Sequence, residues 1–271
     1  MVFGDHPLIR GAGILLGVFF LLWVVSLWRK KASIVDVFWS LGFLMLALFY
    51  WMSSGGGLTA KTTAVLTAVS LWSVRLAAYL AWRNWGKPED HRYAAMRKLW
   101  GGRFWWVSLF TVFLLQATLL WLIAMPLYAV FSRGEPSWTC LDTIAALLFL
   151  VGLSFETVAD WQLARFKSQP ENAGKVLRSG LWRYSRHPNY FGEALVWWSL
   201  YLFAFTSGAW WSVFSPLLMT YLLLRVSGVP LLESALRQRN PEYEAYIRTT
   251  SAFLPWPPKQ EPSGPLPIHD A

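Results

Sequence analysis

The chain has 271 residues, of which 55% are hydrophobic and only 14% are charged, whereas a soluble globular protein is about a quarter charged. This composition excludes an ordinary soluble domain, and the net charge of +9, placed between apolar runs, favours an anionic membrane surface over nucleic acid. A single cysteine, Cys140, excludes internal disulfides and Cys-based metal sites, and four scattered histidines give no metal-ligand spacing, so we expect no metal.

Seven apolar runs are predicted to be transmembrane helices, because several of them exceed the roughly 18 residues that suggest a membrane span. In chain order they are Gly11–Trp28, Ala32–Met52, Thr62–Trp82, Phe104–Phe131, Trp138–Leu163, Tyr190–Thr206 and Trp210–Leu232. The last two are short or interrupted, and a tilted hairpin is the alternative for them. The prediction is an all-α integral membrane protein with a seven-transmembrane-helix bundle.

Lys and Arg are concentrated in alternate connections between these runs. The first, third and fifth loops and the C-terminal segment are basic, whereas the second and fourth hold only Lys61 and Arg133 and the sixth holds none. By the positive-inside rule, the N-terminus lies outside and the C-terminus in the cytoplasm. The first run ends in Arg-Lys-Lys without a cleavage site, so we interpret it as a retained anchor.

The chain divides into one predicted membrane domain, residues 1–256, and a Pro-rich tail, residues 257–271. Residues roughly 150–256 form the half of the domain in which the candidate site residues are densest. The stretch after Phe253 is rich in proline and is predicted to be extended or disordered.

Ionisable side chains inside the predicted spans are costly, and each one marks a candidate site. They recur at helical spacing, so several would share one face of a helix. These stripes are Trp72, Arg75, Tyr79 and Arg83 on the third span, Glu156 and Asp160 on the fifth, Asn189 and Glu193 on the sixth, and Arg225, Glu233 and Arg237 at the end of the seventh. Asp36 stands in the second span, and Asp142 lies near the outer end of the fifth, where we expect water around it. Buried ion pairs that fix helix packing are the alternative interpretation.

The connection before the sixth span reads KSQPENAGKVLRSGLWRYSRHPNY. Lys167, Lys175 and Arg178 along this loop suit phosphate groups, with contact to lipid headgroups as the alternative. Arg183 and Arg186 are explained as markers of the cytoplasmic side. Carboxylates deeper in the membrane suit ribose hydroxyls or a carboxamide, so the set favours a phosphorylated nucleotide, although no Rossmann fingerprint is present.

The segment Asn189-Tyr-Phe-Gly-Glu193 after Gly180-Leu-Trp182 resembles the C-terminal domain of steroid 5α-reductases, in the bacterial branch labelled a domain of unknown function. Arg186-His-Pro-Asn-Tyr190 also resembles sterol reductases and isoprenylcysteine carboxyl methyltransferases. The likeness is best from about Leu150 to Pro255 and weaker back to about Ser33.

The resemblance implies that NADPH is held inside a seven-helix bundle. It places Asn189 and Glu193 at the nicotinamide end, and Asp160 and Lys167 at the adenosine and phosphate end. Together with the polar residues that share helix faces, the resemblance gives a set of candidate cofactor-binding residues. They are Arg75, Tyr79, Arg83, Glu156, Asp160, Lys167, Lys175, Arg178, His187, Asn189, Glu193, Arg225, Glu233 and Arg237.

The sequence departs from the animal enzymes at the substrate carbonyl. Their Gln-Glu pair on the second helix is Val35-Asp36 here, and a Tyr on their third helix is replaced by Trp72. The expected reaction passes hydride to the β-carbon of a conjugated enone, with a donor at the carbonyl oxygen. The candidate catalytic positions are Asp36, kept protonated by apolar surroundings, Tyr79, and Trp72. The alternative for Asp36 is a helix cap with Ser33.

The expected function is therefore an NADPH-dependent reductase of a steroid-like or other lipophilic enone that enters from the bilayer. We expect a monomer in the bacterial inner membrane, with the cofactor site facing the cytoplasm. A membrane methyltransferase using S-adenosylmethionine is the alternative, and a non-enzymatic lipid-binding relic is a third class. The many Lys and Arg weigh against the methyltransferase, because that cofactor carries no phosphate.

Overall fold

All regular structure in the described part of the chain is helical. The computed structural model describes residues 6–133, 137–226, 233, 236–237, 240 and 242–260, and within them no strand occurs. Five helical stretches in these residues are long and apolar enough to cross a membrane. They are Pro7–Arg29, Ile34–Ser53, Ala60–Asn84, His91–Ile123 and Cys140–Lys167. The prediction of an all-α protein of membrane type is confirmed at this level.

The α-helices of the described residues are numbered here in chain order. They are α1 (Pro7–Arg29), α2 (Ile34–Ser53), α3 (Ala60–Asn84), α4 (His91–Trp100), α5 (Phe104–Ser108), α6 (Leu115–Ile123), α7 (Met125–Ser132), α8 (Cys140–Lys167), α9 (Pro188–Thr206), α10 (Phe214–Tyr221) and α11 (Glu242–Thr249). A π-helical segment, Leu109–Leu114, joins α5 to α6, and another, Leu222–Val226, continues α10.

The sixth and seventh predicted spans coincide with α9 and with the helical stretch Trp210–Val226. Neither is among the five stretches above, and the rest of the seventh span, up to Leu232, lies outside the described residues. The number of seven spans and their orientation therefore stay predictions.

The fourth predicted span is longer than expected and is interrupted. It begins at His91 rather than Phe104, and its helix ends at Ile123 before α7 begins at Met125. Pro126 explains the break, because its ring has no N–H to donate and clashes with the carbonyl of an earlier turn. The predicted span thus covers the end of one continuous helical stretch, up to Ile123, and then α7, and the two meet at Ala124.

The first of two compact units comprises the residues up to Ala146 together with Trp198–Pro216. Within it, α2 packs along α3, and α1 packs against both α2 and α6. The fully buried rings of Phe43 and Trp72 meet edge to face, with centroids 5.6 Å apart. This apolar core fixes which faces of α2 and α3 are turned inward.

A buried ion pair lies in the same unit. Lys61, at the start of α3, places Nζ 3.2 Å from Asp142 Oδ1, and the two side chains are 1% and 0% exposed. The Thr206 hydroxyl donates to Asp142 and accepts from Lys61, while Thr139 donates to the other carboxylate oxygen. The expectation that Asp142 is solvated is wrong, because a lysine and two threonines replace water around it.

The second unit comprises Leu147–Trp197 and the residues from Leu217 onward. Its small core gathers Ala159 of α8 with Leu177 and Trp182 of the following connection. The Trp182 indole donates to the Ala159 carbonyl, and Gln162 accepts from the backbone of Leu181. The connection is therefore bound to α8 rather than free in solution.

Replacing Lys61 with Met should destabilise the protein by about 3 kcal/mol, because Asp142 would stay buried without its cation. The apparent melting temperature in detergent measures the loss. Lys98→Met removes the same charge from an exposed position of α4 and should have little effect. The double variant Lys61→Met, Asp142→Asn should recover part of the loss, and a Lys61→Met variant that melts like Lys98→Met would contradict the pairing.

Candidate functional site

A hydrogen-bonded polar cluster surrounds Asp36 near the start of α2. Its Oδ2 accepts from Arg92 Nη2 at 2.9 Å, and its Oδ1 accepts from the Tyr93 hydroxyl at 2.7 Å. Gln116 Nε2 donates to the same hydroxyl at 3.2 Å, and Asp90 binds the other side of the Arg92 guanidinium. Tyr93 itself is buried. The cluster therefore presents a carboxylate and a phenol joined by a short hydrogen bond.

The capping alternative for Asp36 is wrong. Ser33 makes no side-chain cap bond to α2, and the Asp36 carboxylate is directed at Arg92 and Tyr93 instead. The Arg92 guanidinium and the Tyr93 phenol both act as donors to this carboxylate. This geometry favours Asp36 as an acceptor that orients Tyr93.

The sequence did not predict Arg92 and Tyr93 as site residues, because both lie in a connection whose charges were used only to predict orientation. The signal was present in the run Asp90-His-Arg-Tyr93, where an aspartate precedes an arginine and a tyrosine. Asp90 accepts from the backbone N–H of Arg92 and caps α4. The cap fixes the first turn of α4, and that turn carries both side chains.

Arg75, Tyr79 and Arg83 lie on one face of α3, as the spacing predicted. The Arg75 guanidinium lies 5.6 Å from the centre of the Tyr79 ring, and that of Arg83 lies 5.7 Å from it. Two cations thus flank one ring at the i, i+4, i+8 spacing. Trp72 belongs to the buried core beside Phe43. At the position where the resembled family has a tyrosine, this chain places an apolar ring.

In the second unit, α8 and α9 approach each other at two glycines. A Cβ placed on Gly152 would lie 2.7 Å from the Gly192 carbonyl oxygen, and one on Gly192 would lie 2.6 Å from the Glu156 nitrogen. Only a residue without a side chain fits such a contact. The glycine of the Asn-x-x-Gly-Glu element is therefore required for helix packing.

This crossing collects the predicted acidic and amide residues. Asn189 Nδ2 donates to Asp160 Oδ1 at 3.2 Å, and Glu156, Asp160 and Glu193 are all buried. The two residues are therefore hydrogen-bonded partners across this crossing. The implied division, with Asn189 at the nicotinamide end and Asp160 at the adenosine end, stays a prediction.

Arg186, His187 and Glu233 form a buried cluster that ties the loop before α9 to the C-terminal segment. Glu233 Oε1 lies 2.8 Å from Arg186 Nε and 3.1 Å from His187 Nε2. Arg186 Nη1 also donates to the carbonyls of Ile247 and Thr250. Arg186 was expected only to mark the cytoplasmic side, yet it is 8% exposed and its guanidinium donates to a carboxylate and two backbone carbonyls. His187 and Glu233, predicted to bind cofactor, are engaged in this cluster.

The Glu233 carboxyl is affected by opposing influences. Burial raises its pKa, but the hydrogen bonds to His187 and Arg186 outweigh burial, so the pKa lies below its ordinary value. The carboxylate is therefore charged at neutral pH and pairs with the Arg186 guanidinium.

The remaining predicted cations lie at the surface of the second unit. Lys167 ends α8, Lys175 stands in the following loop, and Arg225 lies in the π-helical segment after α10, all of them exposed. Arg178 donates to the Glu242 carbonyl, and Arg237 pairs with Glu244 at 3.7 Å. No cluster of possible metal ligands occurs among the described residues.

Comparisons with known proteins give a family and a distant relative. Residues 22–250 match the family described as "Protein of unknown function (DUF1295)". An uncharacterized protein of Schizosaccharomyces pombe is 30% identical over 266 aligned residues, which cover 86% of this chain and 75% of the relative. No solved structure matches the chain.

Gly152→Ala should disrupt the contact between α8 and α9, because the new methyl group would overlap backbone rather than a flexible side chain. We expect a loss of at least 2 kcal/mol, roughly that of an overpacked core, read as a lower melting temperature. Gly17→Ala, a helical glycine of α1 with open space around it, is the matched control and should be neutral or stabilising. Equal melting temperatures for the two variants would show that the helices do not cross so closely.

Glu233→Gln should cost about 3 kcal/mol at neutral pH, because the Arg186 guanidinium would stay buried without its carboxylate. The folded-state pKa of Glu233 is lowered, so its stabilising contribution is present above the unfolded-state carboxyl pKa and is lost as pH falls through the folded-state value. The difference in melting temperature between wild type and variant should therefore shrink below about pH 4.

Arg237→Gln is the control for this prediction, because it breaks only the exposed pair with Glu244 and should cost less than about 1 kcal/mol. A difference between wild type and Glu233→Gln that stays constant down to pH 3 would count against the charged pair.

Proposed function

The chain belongs to the DUF1295 family of proteins of unknown function, and we propose that it is a membrane reductase of conjugated enones. In the proposed reaction NADPH supplies a hydride to the β-carbon, and a proton is added at the α-carbon. The products are the saturated ketone and NADP⁺. The support is the resemblance of the segment 180–193 to steroid 5α-reductases, together with polar clusters inside apolar helices.

The observation that carries the proposal is the hydrogen bond between Tyr93 and Asp36. Hydride addition to an enone places negative charge on the carbonyl oxygen, and a fixed donor beside that oxygen lowers the barrier. Trp72 cannot serve in the way the family's tyrosine does, but the Tyr93 phenol supplies a hydroxyl from another helix. A phenolic O–H can rotate, so its proton can turn from Asp36 to an incoming oxygen.

The proposal gives these residues distinct roles. Tyr93 donates to the carbonyl oxygen, and Asp36 orients it as a positioning residue. Arg92 balances the Asp36 charge, and Gln116 holds the phenol from the other side. This revises the expectation that a protonated Asp36 is itself the donor, because both of its oxygens face donors.

The second unit carries the proposed cofactor residues. Ribose hydroxyls and a carboxamide need both acceptors and donors, and the crossing of α8 and α9 offers three buried carboxylates and the Asn189 amide. Lys167 and Lys175 are exposed cations on the same connection and suit the phosphates. His187 and Glu233 stabilise this region through the cluster that they form with Arg186, and they do not contact the nucleotide.

We further propose the membrane arrangement that the charge pattern predicts. Seven helices cross a bacterial inner membrane, the N-terminus lies outside, and the cofactor residues face the cytoplasm. The substrate is steroid-like or otherwise lipophilic and enters from the bilayer, and the working unit is a monomer. Cysteine-accessibility labelling of single-cysteine variants at Leu58, Lys98 and Lys175, in a chain from which Cys140 has been removed, tests the orientation, because only the first of these exposed positions is expected outside.

The identity of the cofactor is tested by purifying the protein in mild detergent, denaturing it, and measuring released nucleotide by mass spectrometry. NADP(H) supports the reductase. S-adenosylmethionine or its demethylated product would instead establish the methyltransferase. If nothing is released, titration with each cofactor, using Glu193→Ala as the binding control, decides between them.

Tyr93→Phe should lower kcat for enone reduction by about a hundredfold, because one donor to the developing oxyanion is lost. NADPH binding should be unchanged, since the phenol is proposed to donate to the substrate oxygen and not to the nucleotide. NADPH oxidation with a panel of cyclic enones measures turnover, and Tyr221→Phe, an exposed phenol of α10, is the matched control. Wild-type turnover in Tyr93→Phe would remove this residue from the mechanism.

A further inference from the structure

A basic cavity of about 440 Å³ lies on the second unit. Its lining residues fall within 178–183 and 249–259 and belong to neither α8 nor α9. It is formed where the loop before α9 meets the segment after α11. Its polar lining consists of three cationic and three hydroxyl side chains. These are Arg178, Arg183, Lys259, Ser179, Thr249 and Thr250. Among the residues that the structure describes, no carboxylate lines it, so the charge of the described lining is positive.

Backbone hydrogen bonds hold the two walls of this cavity together. The N–H of Lys259 donates to the Thr249 carbonyl at 2.8 Å, and the N–H of Trp256 donates to the Tyr184 carbonyl at 3.0 Å. The Tyr246 hydroxyl donates to the Trp182 carbonyl. The stretch 254–260, expected to be extended or disordered, is thus bound to the loop before α9. The cavity is a built feature of the fold.

The cations of the cavity differ in how they are held. The Arg178 guanidinium donates to the Glu242 carbonyl and lies 5.7 Å from the centre of the Tyr246 ring. Arg183 and Lys259 are exposed and have no ion-pair partner in the part of the chain that the structure describes. Three cations with neighbouring hydroxyls are a donor set suited to a phosphate group.

Exposed apolar side chains occur in the two chain segments that line the cavity. Leu254 and Trp256 belong to the same C-terminal segment and are 61% and 69% exposed, and Tyr184 follows Arg183 in the loop. Trp and Tyr are enriched at the boundary between lipid and water, where an aromatic body meets polar headgroups. A soluble anion would not need exposed apolar side chains near its phosphate site, whereas a lipid presents phosphate and acyl chains together.

We propose that this cavity binds the phosphate of an anionic membrane lipid. Arg178, Arg183 and Lys259 contact the phosphate oxygens, the hydroxyls of Thr249 and Ser179 donate to them, and Trp256 and Leu254 contact the lipid beneath the headgroup. The site shares only Arg178 with the residues predicted to bind the cofactor, and it does not depend on the reductase proposal.

The test uses the full chain in nanodiscs of phosphatidylcholine mixed with phosphatidylglycerol of the same acyl chains. Native mass spectrometry after release measures which lipid stays bound. Wild type should retain phosphatidylglycerol in preference, and Arg183→Gln with Lys259→Gln should lower that preference about tenfold, since each surface cation contributes about a kcal/mol. Lys98→Gln with Arg103→Gln removes the same two charges from exposed positions elsewhere and should leave it unchanged.

Three results would overturn the proposal. One is equal retention of the two lipids by the wild type, a result that needs no variant to fold. Another is displacement of the retained lipid by adenosine 2′,5′-bisphosphate or inorganic phosphate at micromolar concentration, which would assign the cavity to a soluble phosphate. A neutral result in the double variant with wild-type preference intact would place the lipid elsewhere and equally refute the site.

Discussion

A carboxylate among apolar helices has to find its donors within the protein, because lipid has none to offer. Three carboxylates meet this constraint with a cation and further hydrogen bonds. Asp142 is met by Lys61 and threonine hydroxyls, Asp36 by Arg92 and a phenol, and Glu233 by an arginine and a histidine. Because the partners come from distant parts of the sequence, each pair also fixes which segments lie together.

The sequence predicted relations within one helix well and relations between helices poorly. Hydropathy located the first five spans, and the i, i+4 spacing placed Arg75, Tyr79 and Arg83 on one face, since both depend only on local geometry. The solvation of Asp142 and the cap at Asp36 were wrong for a common reason. A charge near a helix end has an easy local explanation, and a single sequence does not show which distant residue is its partner.

Two loop arginines show the same limit of prediction from a single sequence. A basic loop residue satisfies the positive-inside rule whether it points to water or into the protein, so the rule gave Arg183 and Arg186 one explanation. The structure separates them. Arg186 is buried, its guanidinium donates to Glu233 and to two backbone carbonyls, and its own backbone N–H donates to a third carbonyl. Arg183 is exposed in a basic cavity. The Asn-x-x-Gly-Glu element likewise mixes roles, with its glycine serving packing and its polar residues the candidate site.

The order in which the chain is synthesised gives the Arg186 cluster a further meaning. The acceptors of this buried guanidinium, on Glu233, Ile247 and Thr250, leave the ribosome dozens of residues after Arg186 itself. Until they emerge, the loop before α9 holds a charge that it cannot bury. The second unit can therefore close only when nearly the whole chain has been made, and a product that ends before residue 247 would keep an open, charged loop that quality-control proteases can recognise.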